Sequence, residues 1–134
     1  MTQQEANLSV VMPALTVNDI HASLAWYRDV LGFTVVQELV HDGQLGGVVV
    51  GAGKVRFLLG QDDFAKGKDR QKGGGFRLHC STEQDVDQLA EGIKARGGTL
   101  AHEPTDQPWG ARDFAVEDPD GFKISISTGT GGEG

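Results

Sequence analysis

Cysteine is nearly absent. Cys80 stands alone among 134 residues, so no intrachain disulfide can staple the fold. No apolar run approaches the roughly 20 residues that span a bilayer. Nothing at Met1–Leu8 resembles the charged and then apolar start of a secretory leader. Base is short of acid: 12 Lys and Arg face 19 Asp and Glu, for a net charge of −7 and a pI near 4.9. That balance makes nucleic acids poor partners and draws cationic ligands at long range. The glycines around Gly73 have no phosphate-loop pattern, and no Ser has a His–Asp pair at readable spacing. Together these absences point to a reduced, cytoplasmic protein with no membrane segment and no nucleic-acid partner.

What is present suits a globular domain. Hydrophobic residues make up 38% of the chain, enough for one core in a single domain spanning 1–134. Glycine is the outlier at 20 residues, several at the ends of apparent elements. The apolar periods switch between two and 3.6 in a pattern that occurs twice. In the first half, Leu8–Val17 has strand character and Asn18 is a plausible N-cap. Ile20, Leu24, Tyr27 and Leu31 then recur at helical spacing until Gly32. Strand candidates follow at Phe33–His41, Leu45–Gly51 and Val55–Gly60. In the second half, Phe76–Ser81 is a strand, and Ser81 or Thr82 can cap a helix whose face is Val86, Leu89, Ile93 and Ala90. Gly97-Gly98 ends that helix, and Thr99–Glu103, Arg112–Val116 and Lys123–Ser127 complete the half.

The chain is therefore two βαβββ modules, about 8–61 and 75–128. A charged, glycine-rich linker joins them over about 62–74, and 129–134 forms a loose apolar-free tail. Each helix can cover one face of its own sheet and leave the other free. The predicted fold class is α+β: two tandem βαβββ modules forming an incomplete barrel with a central cleft.

One hairpin is more specific than its surroundings. Gln107-Pro108-Trp109-Gly110-Ala111-Arg112-Asp113-Phe114-Ala115-Val116-Glu117 leads into the tight-turn string Asp118-Pro119-Asp120-Gly121. Leu15-Thr16-Val17-Asn18-Asp19 and Ser23-Leu24-Ala25-Trp26-Tyr27-Arg28-Asp29-Val30-Leu31-Gly32-Phe33 form a second distinctive stretch, and Lys94-Ala95-Arg96-Gly97-Gly98 a weaker third. These segments resemble the glyoxalase / bleomycin-resistance / dioxygenase superfamily (the vicinal oxygen chelate proteins), most nearly its bleomycin-resistance branch. The likeness extends over almost the whole chain.

That resemblance implies a small-molecule cleft and a homodimer in which the cleft is shared between subunits. In typical metal-dependent members, His, Glu or Gln on the inner faces of four strands hold the ion. Here the corresponding slots fall on Met12, Gly75, Ser125 and Leu58, or Phe57 with a one-residue shift of register. A thioether, a hydrogen, a hydroxyl and a hydrocarbon cannot build a site for a hard or borderline divalent ion. No metal and no other cofactor is expected. His21 and His41 suit exposed positions, His102 can reach a rim, and Cys80 alternates with Leu78 as a small buried residue.

The remaining expectation is a binder resembling antibiotic-resistance proteins that sequester a drug without transforming it. Alternation assembles the candidate ligand-binding set: Met12 and Thr16, Arg56 and Leu58, Arg77 and His79, and Ser125, with Trp109, Arg112 and Phe114 near the mouth. Aromatic rings at a rim suit a planar or cationic ligand. Trp26 and Tyr27 are expected to pack in the core. The alternatives are a glyoxalase-like lyase, a dioxygenase or a cofactor-independent enzyme on a small metabolite, and a protein that carries or senses one.

Overall fold

A computed structural model describes residues 5–128. It contains two four-stranded sheets of identical topology. The first is built from β1 (Ala14–Val17), β2 (Thr34–His41), β3 (Gln44–Ala52) and β4 (Val55–Gln61), in the order β1-β4-β3-β2. The second is built from β5 (Arg77–Ser81), β6 (His102–Asp106), β7 (Arg112–Glu117) and β8 (Lys123–Thr128), in the order β5-β8-β7-β6. In each sheet the first strand pairs parallel to the fourth and the other pairings are antiparallel. A helix follows the first strand of each: α1 (Ile20–Ala25) and α2 (Val86–Ala95). This is an open α+β arrangement of two tandem βαβββ units.

Apolar alternation decides which face each strand buries. Leu15 and Val17 on β1, Phe57 and Leu59 on β4, Phe114 and Val116 on β7 and Ile124 on β8 are all buried in one cluster. Ile20, Leu24 and Tyr27 from the first half, and Val86, Ala90 and Ile93 from the second, complete it. Each buried aliphatic side chain contributes on the order of 1.5–3 kcal/mol. Tyr27, Phe33 and Phe57 meet edge-on or tilted, with centroids 5.5–6.0 Å apart. Tyr27 lies in the core as expected, and Trp26 packs against it.

Several boundaries differ from the sequence expectation. The segment Leu8–Pro13 is not part of β1, because β1 pairs with β4 only from Ala14 onward. Leu8, Val10 and Val11 are exposed. The cap of α1 is Asp19, whose carboxylate accepts from His21 N and Ala22 N, both at 3.1 Å. Asn18 is occupied elsewhere: its Oδ1 accepts from Lys72 Nζ at 2.7 Å and its backbone N donates to Asp120. Beyond Ala25 the helix widens to a π-helical turn over Trp26–Val30, closed by Leu31 N donating to Trp26 O. Asp85, not Ser81 or Thr82, caps α2 by accepting from Asp87 N and Gln88 N. β6 begins at His102 rather than Thr99, and its pairing with β7 shifts register between His102 and Thr105.

The halves are tied chiefly at one turn. The Asp118 carboxylate accepts from Asp120 N and Phe122 N, which shapes Asp118-Pro119-Asp120-Gly121, and from Tyr27 Oη at 2.7 Å. Asp120 in turn accepts from Asn18 N and from Ser23 Oγ. Arg96, at the end of α2, reaches back to the Val30 carbonyl.

The connecting segment is less solvated than its charges suggest. Lys72 is buried against Asp62, 2.8 Å away, and Arg70 approaches the same carboxylate at 3.2 Å. Lys72 and the Phe64 amide hold the Asp62 carboxyl well down, to about 2. The expected loose tail at 129–134 lies outside the described residues.

Candidate functional site

With one face of each sheet under its helix, the other face is free to meet a ligand. On the first sheet, cross-strand pairing puts Ala14, Leu58 and Val49 in one row and Thr16, Gly60 and Gly47 in the next. The side chains here are small or apolar, and β2 adds the exposed Leu39. A cavity of about 540 Å³ opens over this face, lined by Leu39, Gly47, Leu58 and Gly60 among others. A second cavity, about 370 Å³, opens beside β1, where Ala14 and Thr16 stand with Phe76 and Phe122 of the second half.

The second sheet is polar on its corresponding face. One row is His79, Ser125, Ala115 and His102, and the next is Ser81, Ser127, Asp113 and Thr105. Arg77 Nη1 donates to Ser125 Oγ at 3.0 Å. Asp113 Oδ1 accepts from Gln107 Nε2 at 2.8 Å and lies 3.0 Å from His102 Nε2. Burial alone would raise the Asp113 carboxyl. The Gln107 amide, His102 and, through space, His79 outweigh it and hold the group below the ordinary carboxylate range.

The predicted site residues divide accordingly. Thr16 and Leu58 stand on the first face, Arg77, His79 and Ser125 on the second. Leu58, not Phe57, faces away from α1, since Phe57 is in the core. Met12 precedes β1 and is exposed. Arg56 lies at the far end of β4, where its Nη1 donates to the Gly53 and Val55 carbonyls.

Two expectations are corrected. Phe114 is fully buried in the core, on the helix side of β7, and lines no mouth. Arg112 shares that side and is held by both oxygens of Asp87 on α2, at 2.9 Å each, and by Asp106 at 3.2 Å. Sequence reasoning missed Asp113 and Gln107. The signal was available: if Phe114 and Val116 face the core, Asp113 must face the other way.

Trp109 stands on the loop between β6 and β7 and is 68% exposed, unusual for so large a ring. Its turn is closed by Gly110 N donating to Gln107 O and by Gln107 N donating to Ala111 O. The same Gln107 anchors the loop to Asp113 through its side chain.

The other titratable groups are placed for structure. His41 pairs with Asp42 in an exposed turn. Cys80 is half-buried against the core, and burial pushes its thiol up, away from a reactive thiolate. Among the described residues no three His, Cys, Asp or Glu side chains gather to hold a metal ion. The donor set on the four strands flanking the sheets' inner edges is also wrong for one. Of Thr16, Leu58, His79 and Ser125, only His79 is a customary ligand. The metal typical of such folds does not fit these residues.

The geometry and the sequence agree with known relatives. The model of the Glyoxalase/Bleomycin resistance protein/Dioxygenase superfamily matches residues 9–126. The chain belongs to this superfamily. It is 34% identical over 129 residues to a bleomycin resistance protein of Geobacillus stearothermophilus, covering 86% of this chain and 92% of that one. It is 29% identical over 122 residues to a probable lactoylglutathione lyase of Synechocystis, covering 84% and 88%. Among solved structures, a superfamily member from Sphaerobacter thermophilus superposes with a TM-score of 0.73 at 26% identity, covering 92% of this chain and 98% of that one. No helix among the described residues is long and apolar enough to cross a membrane.

Proposed function

We propose that this protein binds and sequesters a small organic molecule, a drug or antibiotic that is planar or cationic, without transforming it. The observation that carries the reading is the make-up of the free sheet faces. The face positions Thr16, Leu58, His79 and Ser125 offer one customary metal ligand among apolar and hydrogen-bonding side chains suited to an organic ligand. Similarity to a bleomycin resistance protein over most of the chain supports the same reading. Thr16, Leu58, Arg77, His79 and Ser125 are the proposed contacts, with Trp109 at the rim and Met12 and Arg56 at the periphery. Protein of this kind acts in the cytoplasm, with no metal, nucleic acid or membrane in its role.

The working form is a homodimer with the cleft completed by the second subunit. Leu8, Val10 and Val11 ahead of β1, and Val36, Leu39 and Val40 on β2 at the opposite edge of the sheet, are exposed apolar positions that a second copy would cover. Sedimentation should give twice 14.3 kDa. A monomer across micromolar concentrations would reject the dimer.

Thermal shift of chelator-treated protein against bleomycin, planar cationic antibiotics and thiol adducts tests the function, since a ligand of the folded state raises Tm. Saturable stabilisation with the ligand recovered intact is expected. A second reading, a glyoxalase-like lyase, draws on the likeness to the probable lactoylglutathione lyase. Conversion of a glutathione hemithioacetal once zinc or nickel is supplied would favour it and overturn sequestration.

A further inference from the structure

The cavity beside β1 runs against the composition of the chain. It measures about 370 Å³ and is bordered by Thr16, Arg70, Lys72, Phe76 and Phe122, with no carboxylate in its wall. Other cavities have acids at their edges: Glu38 on the first sheet, Asp19 and Asp69 around Gln61, and Glu117 and Asp120 at the Asp118 turn. Here two cations meet no acid, in a chain with 19 acidic and 12 basic residues.

The charge behind this wall does not cancel. Asp62 Oδ2 is shared, 2.8 Å from Lys72 Nζ and 3.2 Å from Arg70 Nη2, and Asp62 Oδ1 accepts from the Phe64 amide. Lys72 is buried, and its other bond goes to the neutral Asn18 side chain. One carboxylate against two cations leaves a net positive charge. Arg70 carries the accessible share of it: its side chain is 37% exposed, and only Nη2 has a partner among the described residues. Phe76 supplies an apolar wall. It is 45% exposed and meets the buried Phe122 edge-on, with centroids 5.7 Å apart. The backbone between them is fixed, since a β-carbon on Gly73 would collide with the Gly121 backbone.

We infer that this cavity binds an aryl carboxylate, with the carboxylate paired to the Arg70 guanidinium and the ring lying on Phe76. A guanidinium fork matches a carboxylate through two parallel hydrogen bonds, which an ammonium cannot do. The volume lies within the range of small-molecule sites. Anchoring of Arg70 by Asp62 reduces the freedom that binding must remove. The cavity is separate from the floor of Leu39 and Leu58, and its ligand does not rest on the sequestration reading.

The test uses three probes: naphthoate, its neutral isostere naphthamide, and acetate. Isothermal titration of the parent should show saturable binding of naphthoate, with naphthamide and acetate each at least about tenfold weaker. Arg70→Gln leaves the buried Lys72–Asp62 pair and should bring naphthoate down to the level of naphthamide, leaving naphthamide unchanged. Phe76→Ala should weaken both naphthyl probes. Lys54→Gln, which removes a cation from the exposed β3–β4 turn, should alter neither. If Arg70→Gln lowers the melting temperature, Arg70→Lys decides: it keeps the charge beside Asp62 and should still lose naphthoate affinity, because the fork is gone. A parent that binds naphthamide as tightly as naphthoate, or binds neither, overturns the inference. So do Arg70 variants that bind naphthoate like the parent. Each of these failures leaves sequestration to its own thermal-shift test.

Discussion

The two sheets share strand order, pairing sense and a helix on the same side, yet their free faces have opposite chemistry. The helix sides are alike: Leu15, Val17, Phe57 and Leu59 in the first sheet correspond in kind to Phe114, Val116 and Ile124 in the second, with Leu78 packed beside them. The free sides are not. Ala14, Thr16, Leu58 and Gly60 make a low apolar floor, while Arg77, His79, Asp113 and Ser125 make a polar one. Folding constrains the helix side most, because that is where most apolar area is removed from water. The other side can diverge, and under the proposed function its divergence divides the labour: one sheet supplies contact area, the other direction.

That division fails if the frame common to both sheets is broken, and here the largest effect is expected. Asp118→Ala leaves the Tyr27 hydroxyl and the amides of Asp120 and Phe122 without their acceptor. Urea unfolding should show a loss of about 3 kcal/mol. Gly73→Ala should be destabilising too, since a β-carbon there would collide with the Gly121 carbonyl at positive φ. A Gly73→Ala variant as stable as the parent would show that the connecting segment is not seated on this turn.

Acid separates Asp62 from Asp118. The Asp62 carboxyl is lowered in the fold to about 2 by Lys72, so its contribution is present above the unfolded value of about 3.9 and is lost as pH falls towards about 2. Asp118 is raised, by burial first, so its contribution is fully present below the unfolded value and is lost as pH rises through the folded one. Asp62→Asn should therefore flatten the fall in stability between about pH 4 and 2. A denaturation series that is unchanged by the substitution would contradict the Lys72 pairing.

The difference between the free faces is sharpened by paired substitutions there. Leu58→Ala should weaken any aromatic ligand by about 1 kcal/mol through lost contact area, regardless of its charge. Asp113→Asn should act only on the charged member of a pair of ligands. Equal effects of both changes on both ligands would erase the assignment of area to one sheet and direction to the other.

Much of the frame was legible in the chain because periodicity and glycine stops are local. The strand–helix–strands pattern, the ends at Gly32 and Gly97, and Leu58 facing away from the helix follow from alternation and glycine. Leu8–Met12 carries the same apolar signal as a strand, but the chain pairs with β4 only from Ala14 onward, just after Pro13. Asn18 and Asp19 are equally good caps in isolation; in the fold Asn18 Oδ1 is taken up by Lys72, 54 residues away. Tyr27 and Asp118 are 91 residues apart, so the bond that ties the halves had no local sign. Phe114 and Arg112 were misplaced for a different reason. They sit near Trp109 in sequence, whereas the side of a strand changes at every residue, and Asp113 between them is the one that faces outward.

Equilibrium dialysis of chelator-treated protein against bleomycin, with mass analysis of the recovered ligand, tests sequestration most directly. Saturable binding of about one ligand per subunit, unaffected by removing metals and releasing bleomycin unchanged, is the expected result. Absence of binding by bleomycin and by every other member of the thermal-shift panel, or binding that appears only with added metal and returns an altered molecule, would contradict it.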